Sequence, residues 1–276
     1  MRATHDQTSK IIADPRVRGA TLTGSDAASA RVAEQAGKAL EPSVLELGGN
    51  DAMIVLDDAD IDIDNALTCS MFRFMVSDQA CALPKRMFIH ESLYDDFKER
   101  YSEAIAANKI GDPNDPSTSI GPLSSQEAQK LLNEQIQRAV DGGATATPLG
   151  EKIPDHGWFV QPTMTTDVTR DNPILDEELF GPTPILFKFS DIKEAIDMAN
   201  DSSFGLGGSV NSRDLAKAEA IARRMDTGQV AINTPANSYF DMPFGGTKRS
   251  GYGKEMGPQG IREFALQKVI LFQPTK

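Results

Sequence analysis

The stretch Val44-Leu45-Glu46-Leu47-Gly48-Gly49-Asn50-Asp51-Ala52-Met53-Ile54-Val55-Leu56 carries two apolar runs around a glycine pair. Residues 44–47 read as a strand that the glycines stop, and residues 53–56 as a second strand. The second run is almost continuously apolar, which predicts burial on both faces, as in a parallel sheet covered by helices. Upstream, Ile11 and Ile12 close a short helix broken at Asp14-Pro15, and residues 17–23 read as a strand ending at Gly24. Ser25 or Asp26 then caps a helix of small residues, with Gly37 suited to its C-terminal cap.

Downstream, an acidic turn at Asp57-Asp58-Ala59-Asp60 leads into a helix with Ile63, Leu67, Met71 and Phe74 along one stripe. A loop over residues 76–84 contains Cys81, and residues 86–90 form the next strand. Ser92 caps a helix with Leu93, Phe97, Tyr101 and Ile105 on one face. A helix from Ser124 or Ser125 runs through Leu131, Ile136 and Val140 to Gly142-Gly143. After loops and short strands over residues 144–183, strands at 185–189, 207–211 and 230–233 alternate with helices at 191–199, capped by Ser190, and 214–225. The apolar tail Val269-Ile270-Leu271-Phe272 reads as a paired strand. Repeated β-α alternation predicts an α/β fold with parallel sheets.

The 276 residues, 39% hydrophobic and 25% charged, are enough for about two domains with real cores. No apolar run is long enough to span a bilayer, and Met1-Arg2-Ala3-Thr4-His5 opens no apolar signal core, so the expectation is a cytoplasmic protein with no membrane partner. With 40 acids against 28 bases, the net charge of −12 argues against nucleic-acid binding. Two cysteines and three histidines, in no metal-ligand spacing, predict no metal site.

Cys81 sits in a polar loop between a helix and a strand, which suits a nucleophile; a small buried hydrophobe is the other reading. Cys69, within an apolar helix, reads as core. Glu46 interrupts an apolar strand just before Gly48-Gly49. Desolvation there suits it to general-base work, and a structural carboxylate is the alternative. Glu178 and Phe180 pair a carboxylate able to accept ribose hydroxyls with a ring able to pack on a heterocycle, or are simply a surface acid and a core phenylalanine. Gly24-Ser25 at a helix N-terminus either holds a phosphate or only caps the helix. No Gly-x-Gly-x-x-Gly follows a first strand.

Four motifs in order resemble the aldehyde dehydrogenase superfamily: Leu45-Glu46-Leu47-Gly48-Gly49; Gln79-Ala80-Cys81 with Lys85-Arg86; Glu177-Glu178-Leu179-Phe180-Gly181-Pro182; and Pro243-Phe244-Gly245-Gly246 with Lys248, Ser250-Gly251 and Gly253. Lys85-Arg86 and Arg249-Ser250-Gly251-Tyr252-Gly253 look most like its bacterial succinate-semialdehyde dehydrogenase-like branch. The resemblance implies an aldehyde dehydrogenase-like fold with a partial Rossmann-type cofactor domain and an α/β catalytic domain. Residues 1–49 would be the remnant of the dinucleotide-binding domain, 50–248 the catalytic domain, and 249–276 a C-terminal segment with an oligomerisation strand. It implies oxidation of a small-molecule aldehyde with NAD or NADP. Cys81 would be the nucleophile and Glu46 the base that activates water against the thioester. Gly24, Ser25, Leu47, Glu178 and Phe180 would bind the cofactor, and the chain would form a homo-oligomer, dimer or tetramer.

Three departures from the family pattern stand out. Val76 and Asp78 occupy positions where the family usually carries Asn and Gly, and an anion at Asp78 is expected to raise the Cys81 pKa. The family's upstream strands, its oxyanion-hole Asn and its adenosine-ribose Lys would precede residue 1, which predicts an exposed sheet edge and apolar patch near residues 17–47. Arg73 reads as a solvated helix residue or as an attractor for a carboxylated aldehyde. Two further functions remain open: a catalytically silent interaction module, and a cofactor-free thiol esterase using Cys81 and Glu46.

Overall fold

The computed structural model describes residues 3–274, without the side chains of residues 60–63. Met1, Arg2 and the side chain of Ile63 therefore lie outside the described residues. A seven-stranded sheet forms the centre, in the order Ala231–Ile232, Gly208–Asn211, Asp51–Val55, Pro84–His90, Ile185–Phe189, Thr163–Thr166, Thr145–Pro148. Neighbours run parallel except at the last pair, which is antiparallel. Side chains alternate across a strand, so the central strand Asp51–Val55 feeds two cores. Ala52 and Ile54 pack on one face with Phe88, Ile185, Phe187 and Val210. Met53 and Val55 pack on the other with Met87, Ile89, Phe97 and Tyr101. That double burial is why the strand is apolar throughout.

A second sheet joins Ala20–Thr23, Ser43–Glu46 and Gly251–Tyr252, the first pair parallel and the second antiparallel. Ala20–Thr23 is its edge, shorter than the strand expected over residues 17–23. The apolar patch foreseen near this edge is partial: Leu40 is exposed, while Val44, Leu45 and Leu47 are buried. A third pair, Phe204–Gly205 with Thr247–Lys248, is antiparallel.

Several local expectations are corrected. The helix Asp26–Ala39 is capped by Ser25, but it ends on Leu40 in the left-handed region, with Gly37 still inside it. The helix Glu91–Ala106 is capped by the His90 ring, which accepts from the Ser92 N–H, so Ser92 is the donor and not the cap. Asp191, not Ser190, caps Ile192–Asn200. In Gln126–Asp141 the buried face is Leu132, Gln135 and Ala139, leaving Leu131 and Val140 exposed. The helix Ile63–Met71 passes into a 3-10 turn, Phe72–Val76, so Phe74 is buried from a tighter segment. For residues 269–272 only pairing within the chain is corrected: they form no strand there, and all four side chains are exposed. No strand of the described chain lies beside them, and an isolated segment has nothing with which to pair its backbone.

Candidate active site

The Cys81 loop leaves Phe72–Val76 through Ser77 and Asp78, both in the left-handed region (φ 52° and 58°). That reversal sends the chain back towards the strand Pro84–His90. The loop is pinned along its length. Ser77 Oγ accepts from the Gly121 N–H at 2.9 Å, and Gln79 Oε1 accepts from the Ser124 N–H at 2.8 Å. Lys85 Nζ donates to the Ala80 carbonyl at 3.0 Å.

Arg73, Asp78 and Lys85 lie fully buried beneath this loop. The Asp78 carboxylate is ion-paired with Arg73 and lies 3.4 Å from Lys85 Nζ. Arg73 also donates to the Pro84 carbonyl at 2.9 Å. Both readings of Arg73 are thereby corrected: it is neither solvated nor free to attract a substrate. The Cys81 pKa is raised, as expected, but Asp78 is not among the main causes, and two cations lie against its carboxylate. The Cys81 thiol is instead pushed up by burial, then by Asp51 and Glu178, while the backbone N–H groups of Ala82 and Cys81 pull the other way.

Glu46 ends the strand Ser43–Glu46, which is held between Ala20–Thr23 and Gly251–Tyr252. Its side chain is 2% exposed, and neither carboxylate oxygen has a hydrogen-bond partner. Burial first, and then the Glu255 carboxylate, push its pKa up to about 7, against an opposing pull from Lys254. An acid in that state can take a proton from water near neutral pH.

The glycine pair explains how the two groups meet. A methyl group on Gly49 would overlap the Cys81 carbonyl oxygen, and one on Gly48 would overlap the Glu178 carboxylate. Glycine at both positions lets the strand end pack directly against the loop. Cys81, half-buried, and Glu46 then line one groove of about 470 Å³ with Gly24, Ser25, Leu47, Glu178 and Phe180. All seven residues singled out from the sequence therefore share one cavity.

Within this groove Ser25 caps the helix Asp26–Ala39, turning the helix N-terminus and its free N–H groups towards the space. Glu178 accepts from the Gly49 N–H at 2.9 Å, whereas its neighbour Glu177 is ion-paired with Arg138 at 2.6 Å and is structural. Burial raises the Glu178 pKa, and Lys85 opposes it. Phe180 is 40% exposed over the groove, with Lys85 Nζ 5.2 Å from its ring centroid.

Residues 2–270 match the model of the aldehyde dehydrogenase family. The chain belongs to that family. It is 47% identical over 267 residues to a succinate-semialdehyde dehydrogenase (NADP+) from Deinococcus radiodurans, covering 97% of this chain and 56% of that protein. It is 40% identical over 267 residues to a protein of the same name from Mycobacterium avium, again covering 97% and 56%. Among solved structures, the succinic semialdehyde dehydrogenase from Streptococcus pyogenes in complex with NADP+ superposes with a TM-score of 0.93 at 41% identity, covering 99% of this chain and 60% of that one. A Mycobacterium tuberculosis aldehyde dehydrogenase complexed with NAD+ gives 0.89 at 33% identity, with 97% and 56% covered. The chain thus spans little more than half the length of the curated relatives it matches.

Three features around this groove are not evident from the sequence alone. Asp51 is buried, accepts from the Gly207 N–H at 2.9 Å, and is pushed up to about 7 chiefly by burial. A lone acid opening an apolar run was its only signal. Lys85, pushed down to about 8 by burial and Arg73, ties the loop to Phe180. Glu255, far from Glu46 in sequence, bears on it, and paired backbone bonds of 2.7 and 2.8 Å fix Glu255 to Phe244.

Proposed function

We propose that the chain carries the acyl-transfer chemistry of an NAD(P)-dependent aldehyde dehydrogenase, oxidising an aldehyde to a carboxylic acid. The observation that carries this reading is the shared groove, in which a half-buried thiol and a buried, unpartnered carboxylate face a helix N-terminus and a second carboxylate. The groove suits a dinucleotide. The N–H groups beyond Gly24 and Ser25 fit a phosphate, Glu178 fits ribose hydroxyls, and Leu47 and Phe180 offer apolar contact to a flat ring. When bound, the dinucleotide supplies the hydride acceptor.

Cys81 acts as the nucleophile: its thiolate attacks the carbonyl carbon, a carbon–sulfur bond forms, and the carbonyl electron pair moves to oxygen. Once that carbon has given up its hydride, a thioester remains on Cys81. Glu46 takes a proton from water as the water attacks, the carbon–sulfur bond breaks, and the thiolate is restored. The absence of a hydrogen-bond partner keeps Glu46 available for this, because a carboxylate held by an ion pair would be a weaker base.

Replacing Cys81 tests the reading. Cys81→Ala is expected to abolish aldehyde-dependent formation of reduced dinucleotide, followed by absorbance; activity retained in the variant overturns the assignment. We propose further that the chain forms a homo-oligomer. The support is the exposed run Val269, Ile270, Leu271 and Phe272, a β-prone segment that a sheet edge of a second copy would pair. Light scattering of Ile270→Lys/Phe272→Lys is expected to report a smaller particle than the parent.

A further inference from the structure

The charges buried beneath the Cys81 loop do not cancel. Arg73 and Lys85 are cations, and Asp78 is the one carboxylate that ion-pairs with either among the described residues. Neutralising Asp78 needs only one of them. Arg73 takes the closer pairing, and Lys85 Nζ stands off at 3.4 Å. The ammonium lies closer to the Ala80 carbonyl, at 3.0 Å. That carbonyl shares its peptide with the Cys81 N–H, and the Cys81 N–H favours its own thiolate. A cation on the oxygen end of a peptide polarises it and strengthens the donor at its nitrogen end.

We infer that Lys85 is a positioning residue for Cys81: its ammonium, the surplus charge of the buried cluster, acts through the Ala80–Cys81 peptide to favour the thiolate. The inference rests on the reading of Cys81 as the nucleophile and names the charge that sets its reactivity. The groups facing the ammonium decide when that charge is present. Burial and Arg73 push the Lys85 pKa down to about 8, against Glu178, Asp51 and Cys81, which pull it up. The thiol is pushed above its ordinary value of 9.0 by burial, Asp51 and Glu178, so it titrates after the ammonium. Lys85 therefore supports the thiolate below about pH 8, and the support fades as pH rises through that value.

The test reads the rate at which iodoacetamide alkylates Cys81 in the 276-residue chain, followed by peptide mass spectrometry. The thiolate sulfur forms a bond to carbon and iodide leaves, so the rate reports the thiolate fraction. Cys69, buried and pushed up to about 11, is read on its own peptide. Lys85→Met removes both charge and donor, and Asp78 keeps Arg73, so no acid is left without a counter-ion. Lys85→Gln drops the charge and keeps a donor for the Ala80 carbonyl; it carries the comparison where the methionine variant fails to fold. Both variants are expected to slow alkylation about fivefold or more at about pH 7. Both are expected to come within about twofold of the parent at about pH 9.5, where parental Lys85 is itself neutral. Asp51 titrates near 7 in parent and variants alike, so it drops out of the ratio. A lysine that only props the loop would give a ratio independent of pH. A constant ratio, or an unchanged rate in Lys85→Gln at about pH 7, overturns the inference. Alkylation needs neither aldehyde nor dinucleotide, so absence of turnover bears on the proposed oxidation alone, and a flat ratio bears on this inference alone.

Discussion

Asp78 and Glu46 are both buried acids in the neighbourhood of one thiol, and their surroundings are opposite. Asp78 meets two cations and is locked. Glu46 meets none within bonding distance, and another carboxylate, Glu255, bears on it. Burial alone therefore says little about what an acid does. A compensated carboxylate fixes a loop, whereas an uncompensated one is left to titrate near neutrality.

Removing the locked acid should have the larger effect on stability. Asp78→Ala leaves Arg73 and Lys85 buried without their counter-ion, and a loss of about 3–5 kcal/mol is expected in urea unfolding. Asp78→Gly is expected to lose about 1 kcal/mol less, because glycine accepts φ 58° without a Cβ clash. If both variants unfold at the parent midpoint, the buried cluster is not what holds the loop, and the contrast with Glu46 fails.

Removing the unlocked acid should act on chemistry instead. Glu46→Gln is expected to slow hydrolysis of the acyl-enzyme by about a hundredfold in single-turnover kinetics. In the parent that rate should rise with pH through about 7, as Glu46 gives up its proton. Stability should move the other way. Folded Glu46 keeps its proton to about 7, whereas the unfolded chain releases it near 4.5. Between those values the folded state binds more protons, so stability falls as pH rises through the window and is flat above it. The fall assigned to Glu46 is on the order of 2–3 kcal/mol, and Glu46→Gln should remove it, leaving the similar contribution of Asp51.

How much of this was legible follows from where each signal is stored. The strand Asp51–Val55 could be read directly, because two-sided burial writes itself as an unbroken apolar run. The groove could be read because its motifs are compact: the glycine pair, the acid before it and the cysteine loop each occupy a few adjacent residues. The role of Arg73 could not. Helical periodicity says which face a residue shares, not that a left-handed reversal at Ser77 and Asp78 brings an acid back beneath it. The helix starts at Glu91–Ala106 and Ile192–Asn200 are not legible from serine alone, because His90 and Asp191 are also side-chain acceptors beside those serines and they take the first free N–H groups, of Ser92 and Lys193. The tail at residues 269–272 shows the limit most plainly, since β-prone composition states what can pair and not with which strand.

The smallest expected effect separates the three acids around the thiol. Glu178 and Asp51 raise the Cys81 pKa electrostatically, Asp51 more than Glu178, and the compensated Asp78 is not among its main causes. Above pH 7 Asp51 is ionised, so its charge opposes formation of the thiolate. Asp51→Asn keeps the shape and the bond from the Gly207 N–H while deleting that charge. The pH profile of Cys81 alkylation is expected to move to lower pH by up to about one unit, which corresponds to about 1.4 kcal/mol. Asp78→Gly is expected to move it less, because the anion it removes is already balanced by Arg73 and Lys85. A larger shift in Asp78→Gly than in Asp51→Asn would mean that the cations beneath the loop do not screen Asp78 from the sulfur, and Asp78 would then belong to the chemistry as well as to the scaffold.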